Sequence, residues 1–116
     1  MKTDHSEQDT LGAIRYNDEV IKTMVNMAMA EVEGVAGIES RSTGNILSRK
    51  SDSHINKISI DGKNLTVDLA IVVKYGLSLR EVAQNVQRKV QEKIEAMTDL
   101  IVNAINVTVT ALEIEE

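Results

Sequence analysis

At 116 residues and without cysteine, the chain is sized for one domain, and neither a disulfide framework nor a zinc-thiolate site is open to it. Its net charge of −5 sits in the ends: Asp4, Glu7 and Asp9 outweigh Lys2 in residues 1–10, and Glu113, Glu115 and Glu116 close the chain. The body between is electrically balanced and has neither Trp nor Phe, which argues against duplex and single-stranded nucleic acid alike.

Residues 1–10 are expected to be a polar tail, residues 11–112 one domain, and residues 113–116 an acidic tail. The first ten residues lack the apolar stretch of a signal peptide. No apolar run approaches the ~20 residues of a membrane span, so membrane contact is expected only through another molecule.

Residues 11–16, LGAIRY, predict a short first strand. Asn17 is a good N-cap, and Asp18 and Glu19 suit the positive end of a helix running to about Glu33, with Gly34 as its stop. Val20, Ile21, Met24, Val25, Met27, Ala28 and Val32 share one side of that helix, and Met29 widens the arc to half the circumference. An arc this broad means deep packing or contact with a partner. Residues 35–40 predict a second strand, and residues 41–53 a loop. Residues 54–60 form a third strand, turned back by Asp61-Gly62. Leu65, Val67, Leu69, Ile71, Val73 and Tyr75 then alternate without a break, the clearest strand in the chain.

Ser78 and Glu81 form a capping box for a second helix ending near Met97. Its apolar stripe is Leu79, Val82, Ala83, Val86, Val90, Ile94 and Met97. A last strand covers residues 101–112; Asn103 interrupts its alternation, and Leu112 and Ile114 fall in the opposite phase, as at a β-bulge or a fraying strand end. The order β-α-β-β-β-α-β implies a two-layer α/β (α+β) sandwich, with a mixed sheet of about five strands and both helices on one face.

A search for chemistry finds little. His5 and His54 stand apart, with no further His or Cys at ligand spacing. Asp18 and Glu19 serve the helix start; Glu31 falls inside the apolar arc, yet the last turn of the helix is expected to let it reach solvent rather than hold it as a buried acid. P-loop, GxGxxG, GxSxG and HExxH motifs are absent. The chain is therefore expected to be no enzyme and to need no cofactor or metal.

Two surfaces remain as candidates for binding. One joins the methionine face of the first helix (Met24, Met27, Met29) to the sheet face away from the helices (Val72, Asn106, Thr108), where charges are few and self-association is expected. The other is the basic stretch Arg41, Arg49, Lys50 and Lys57, suited to anionic headgroups or an acidic partner.

Several short runs, in this order and spacing, resemble the alkaline shock protein family of Gram-positive bacteria. They are Gly12-Ala13-Ile14 with Asp18-Glu19-Val20-Ile21, Glu31-Val32-Glu33-Gly34-Val35, Val72-Val73-Lys74-Tyr75-Gly76, Val82-Ala83 with Val86-Gln87, and Met97-Thr98 with Leu100 and Ile105-Asn106-Val107-Thr108-Val109. The chain departs from that pattern at Asp99, where Gly is common, and in residues 41–57, which lack a Gly-Val. The resemblance implies a non-enzymatic, cytoplasmic homo-oligomer in envelope stress and homeostasis, reaching the membrane through an anchoring protein. It also implies an alternative, a regulatory module for a metabolic enzyme of fatty-acid synthesis or for a small ligand.

Overall fold

The order of elements follows from two periodicities, 3.6 residues in the helices and 2 in the strands. The computed structural model describes residues 11–38 and 52–114. In it, α1 spans Asp18–Ala30, β1 Val35–Ala36, β2 His54–Asp61, β3 Asn64–Lys74, α2 Leu79–Met97 and β4 Ile101–Glu113. The architecture is the expected α+β sandwich with a mixed sheet, but with four strands instead of five.

The missing strand is residues 11–16. Residues 12–16 are irregular, and Leu11 and Ile14 are exposed. Of the two sides of central β3, β1 and β2 share one, antiparallel, and β4 takes the other, parallel. Tyr16 instead packs against the core, and its hydroxyl donates to Asp99 Oδ1 at 2.9 Å.

Both helices begin where their caps place them. The Asn17 side chain accepts from the Glu19 N–H at 2.9 Å, and Ser78 Oγ from the Glu81 N–H at 3.2 Å. Helix α1 ends at Ala30, earlier than Glu33, and tight turns lead into β1. Gly34 closes them with φ +102°; a Cβ there would lie 2.9 Å from Leu77 Cδ1 and from Val82 Cγ2. Glu31 reaches solvent, as expected of the last turn, and joins the helices through Lys93 (3.1 Å) and Lys89 (3.8 Å) of α2.

One core lies between helices and sheet. Ile21, Val25, Ala28 and Met29 of α1 and Val82, Val86, Val90 and Ile94 of α2 cover Leu65, Val67, Leu69, Ile71 and Val73 of β3. Each such aliphatic side chain contributes about 1.5–3 kcal/mol by leaving water.

β1 and β2 behave as one edge strand with an excursion in it. Ala36 pairs with Val72 and His54 with Ala70, so the chain leaves the ladder and rejoins it beside the same stretch of β3. Of the predicted strand 35–40, Val35–Ala36 is strand and Ile38 bridges Ser53, while residues 39–40 lie outside the described residues. Buried Ser53 closes the gap: its hydroxyl donates to the Ala36 carbonyl and accepts from the Val72 N–H.

In β4 the expected phase change is present. The register against β3 shifts between Ile71 and Val72, and again between Leu65 and Thr66 beside Asn103. Val102, Val107 and Val109 consequently pack toward the core and Ile105 is buried in it.

Candidate functional site

With both helices on one side, the opposite sheet face has no described helix across it. The ladder register composes it row by row. Ser59, Thr66 and Ala104 form one row; Lys57, Asp68 and Asn106 the next; His54, Ala70 and Thr108 a third; Ala36, Val72 and Ala111 the last. Charge sits in the row where Lys57 and Asp68 are neighbours of opposite sign, with Asn106 Nδ2 donating to Asp68 Oδ1 at 2.7 Å, and again one step beyond Val72, where Lys74 pairs with Glu113. The rest is small, hydroxylic or apolar.

Not every residue singled out in the sequence is accessible on that face. Asn106 and Thr108 are exposed. Val72, flanked by Ala36 and Ala111, is only 5 % exposed and belongs to a buried end of the face with Ala36, Ser53 and Ala70. A charge at Val72 would therefore strain the fold as well as any contact.

The methionine face divides in the same way. Met24 and Met29 are core residues, 6 % and 0 % exposed, and Met27 is 52 % exposed. The breadth of the α1 arc is explained mainly by deep packing between sheet and α2. Of the basic stretch, Lys57 is an exposed β2 residue; Arg41, Arg49 and Lys50 lie outside the described residues.

His54, read from sequence as a solvated histidine, is exposed on the outer face, with Nδ1 2.8 Å from the Asp52 carbonyl. Among the described residues, no three His, Cys, Asp or Glu side chains converge as a metal site would require.

A second feature lies at the other end of the sheet. Ile14, Arg15, Tyr16, Ile60, Lys63 and Asp99 help line an open cleft of about 420 Å³. The Tyr16 hydroxyl and the Lys63 ammonium (3.2 Å) hold the Asp99 carboxyl below the usual carboxylate range. A carboxylate so engaged is a fixed anion that ties residues 14–16 to the β2–β3 turn; a general acid would need the opposite shift. Sequence reading missed this contact because its partners are 83 residues apart. The one available signal was an Asp where the family pattern favours Gly.

Comparison with known proteins agrees with this architecture. Solved C-terminal domains of MamM superpose with TM-scores of 0.55 and 0.56 at 17 % and 18 % identity, covering 86 % and 83 % of this chain and 100 % and 96 % of theirs. At that identity the likeness concerns the fold. The chain is similar to YqhY of Bacillus subtilis, 29 % identical over 99 % of this chain and 87 % of that protein, and to YloU of the same organism, 28 % identical over 89 % and 90 %. It is also 30 % identical, over 90 % of its length, to a Streptococcus pyogenes protein called a stress response regulator gls24 homolog, of which it spans 61 %. Among the described residues, no helix is long and apolar enough to cross a membrane. The profile of one family matches residues 6–114, nearly the whole chain, which therefore belongs to the alkaline shock protein 23 family, a family with a cell envelope-related function.

Proposed function

We propose that this protein is a non-catalytic scaffold of the cell envelope stress response that works by self-association and by docking on a partner. The observation carrying this reading is the sheet itself. Both helices are spent on one face, and the opposite face presents exposed, uncharged Ser59, Asn106 and Thr108 and half-buried Ala104 without a described helix over it. Charge-poor β surface of this kind suits contact with another protein. The cytoplasmic setting and the route to the membrane through an anchoring protein belong to the same reading, supported by the envelope-related description of the family.

The name of the streptococcal relative favours a second reading, a regulatory module that binds a metabolic enzyme or a small ligand. Cross-linking in native cells followed by affinity capture at ordinary abundance separates the two. The scaffold reading expects cross-linked copies of the chain together with a membrane protein. Recovery of the uncrosslinked monomer with a soluble biosynthetic enzyme would overturn it in favour of the regulatory module.

A further inference from the structure

Among the described residues, strand β4 is hydrogen-bonded to another strand along one side only, to β3. Its other side offers unpaired backbone N–H and C=O groups, the usual template for joining another strand. The chain closes half of that edge itself. Glu95 of α2 accepts the Val102 N–H at 2.9 Å, and Gln87 Nε2 donates to the Ile105 carbonyl at 2.9 Å. Past Ile105, no side chain of the described part of α2 does the same.

The bond from Gln87 shows that the Ile105 carbonyl points away from β3. Successive residues of a strand turn their backbone groups to alternate sides, so Val107 and Val109 share that outward direction, up to the register shift beside Ile71 and Val72. The open stretch is therefore short and centred on Thr108.

We infer that this stretch is a homodimer contact, in which β4 of two copies pairs antiparallel about a two-fold axis through Thr108 and joins two sheets into one. Val107 of each copy exchanges backbone hydrogen bonds with the partner's Val109. Thr108 faces the partner's Thr108, and Asn106 faces the partner's Thr110. Hydroxyl and β-branched pairs of this kind are favourable across antiparallel strands.

The occupant must itself be an unpaired strand with neutral side chains at this register. The chain supplies one: residues 101–112 carry neither charge nor Pro, the two devices that commonly blunt a sheet edge. The axis has little freedom. Moved toward Ile101, it meets the bonds made by Glu95 and Gln87. Moved toward the C-terminus, it enters the register shift and draws the two Glu113 carboxylates together. A two-fold contact of this kind is isologous, the same stretch of β4 meeting itself.

The inference rests on the self-association proposed above and locates it. The test is sedimentation velocity of Thr108→Lys, Thr108→Asp and their equimolar mixture beside the wild type, from dilute to concentrated. The wild type is expected to dimerise with rising concentration. Each variant alone is expected to dimerise about tenfold more weakly or worse, because like charges meet at the axis, and mixing is expected to restore a dimer. Val109→Pro removes an outward N–H and not a β3 ladder bond, so it is expected to lose the dimer while keeping its far-ultraviolet circular dichroism. Single variants that associate like the wild type, or a mixture that stays monomeric, would overturn the β4 contact and leave self-association standing elsewhere. A wild type that is monomeric throughout would overturn both.

Discussion

Removing the Ser53 hydroxyl tests the account of the interrupted edge strand directly. Ser53 is 3 % exposed, and its Oγ serves two backbone groups at once, the Ala36 carbonyl and the Val72 N–H, the latter at 2.9 Å. Ser53→Ala removes little volume and leaves the Ser53 N–H free to keep its bond to the Gly37 carbonyl at 3.0 Å. What it takes away is the partner of two backbone groups at the break between β1 and β2. Leaving a buried polar group unpaired costs about 1–3 kcal/mol. Allowing some relaxation for the pair, the variant should lose about 2–4 kcal/mol, a large share of the ~5–15 kcal/mol that holds a domain of this size. With a urea m-value of about 1–1.5 kcal/mol/M, the midpoint falls by roughly 1.3–4 M at unchanged slope. Equilibrium urea unfolding followed by circular dichroism measures it, with Ser53→Thr, which keeps the hydroxyl, as the control. A loss below about 0.5 kcal/mol, or an equal loss in both variants, would refute the claim that the hydroxyl seals the ladder.

Two further outcomes are expected. Gly34→Ala should cost about 2–3 kcal/mol in the same assay, since it combines φ +102° with a Cβ 2.9 Å from Leu77 and Val82; Gly62→Ala, with positive φ but open space around it, should cost less. Asp99, whose folded carboxyl is held low by Tyr16 and Lys63, stabilises the fold above its unfolded pKa of about 3.9, and that contribution fades as pH falls through the lower folded value. Thermal melts of Asp99→Asn should therefore fall below those of the wild type at neutral pH and approach them at the acid end; a constant gap across that range would contradict the tether.

Much of the fold was readable because it is locally encoded. The unbroken alternation from Leu65 to Val73 marks β3, Asp61-Gly62 its turn, and Asn17 and Ser78 the two helix starts, each within a few residues of chain. Even the bulge in β4 left a trace, in the changed phase of Leu112. The candidate site was less legible. Residues 11–16 have the apolar content of a strand, but they make no ladder bond; Tyr16 is held instead by Asp99, 83 residues away, which no local pattern announces. Val72 has the parity of an outward residue, yet it is buried together with Ala36, Ser53 and Ala70, which parity along one strand cannot foretell.

From its sequence by itself the chain determined which segments are helical or extended, that its body is neutral, and that familiar catalytic motifs are missing. Tertiary structure decided which apolar residues are core and which are surface: Met24 and Met29 against Met27, Ile105 against Ile101. It also decided that β4 is an edge, half closed by Gln87 and Glu95. The division has one physical cause. Periodicity and capping act between near neighbours in the chain, whereas burial, register and the state of an edge depend on which distant segment arrives beside them.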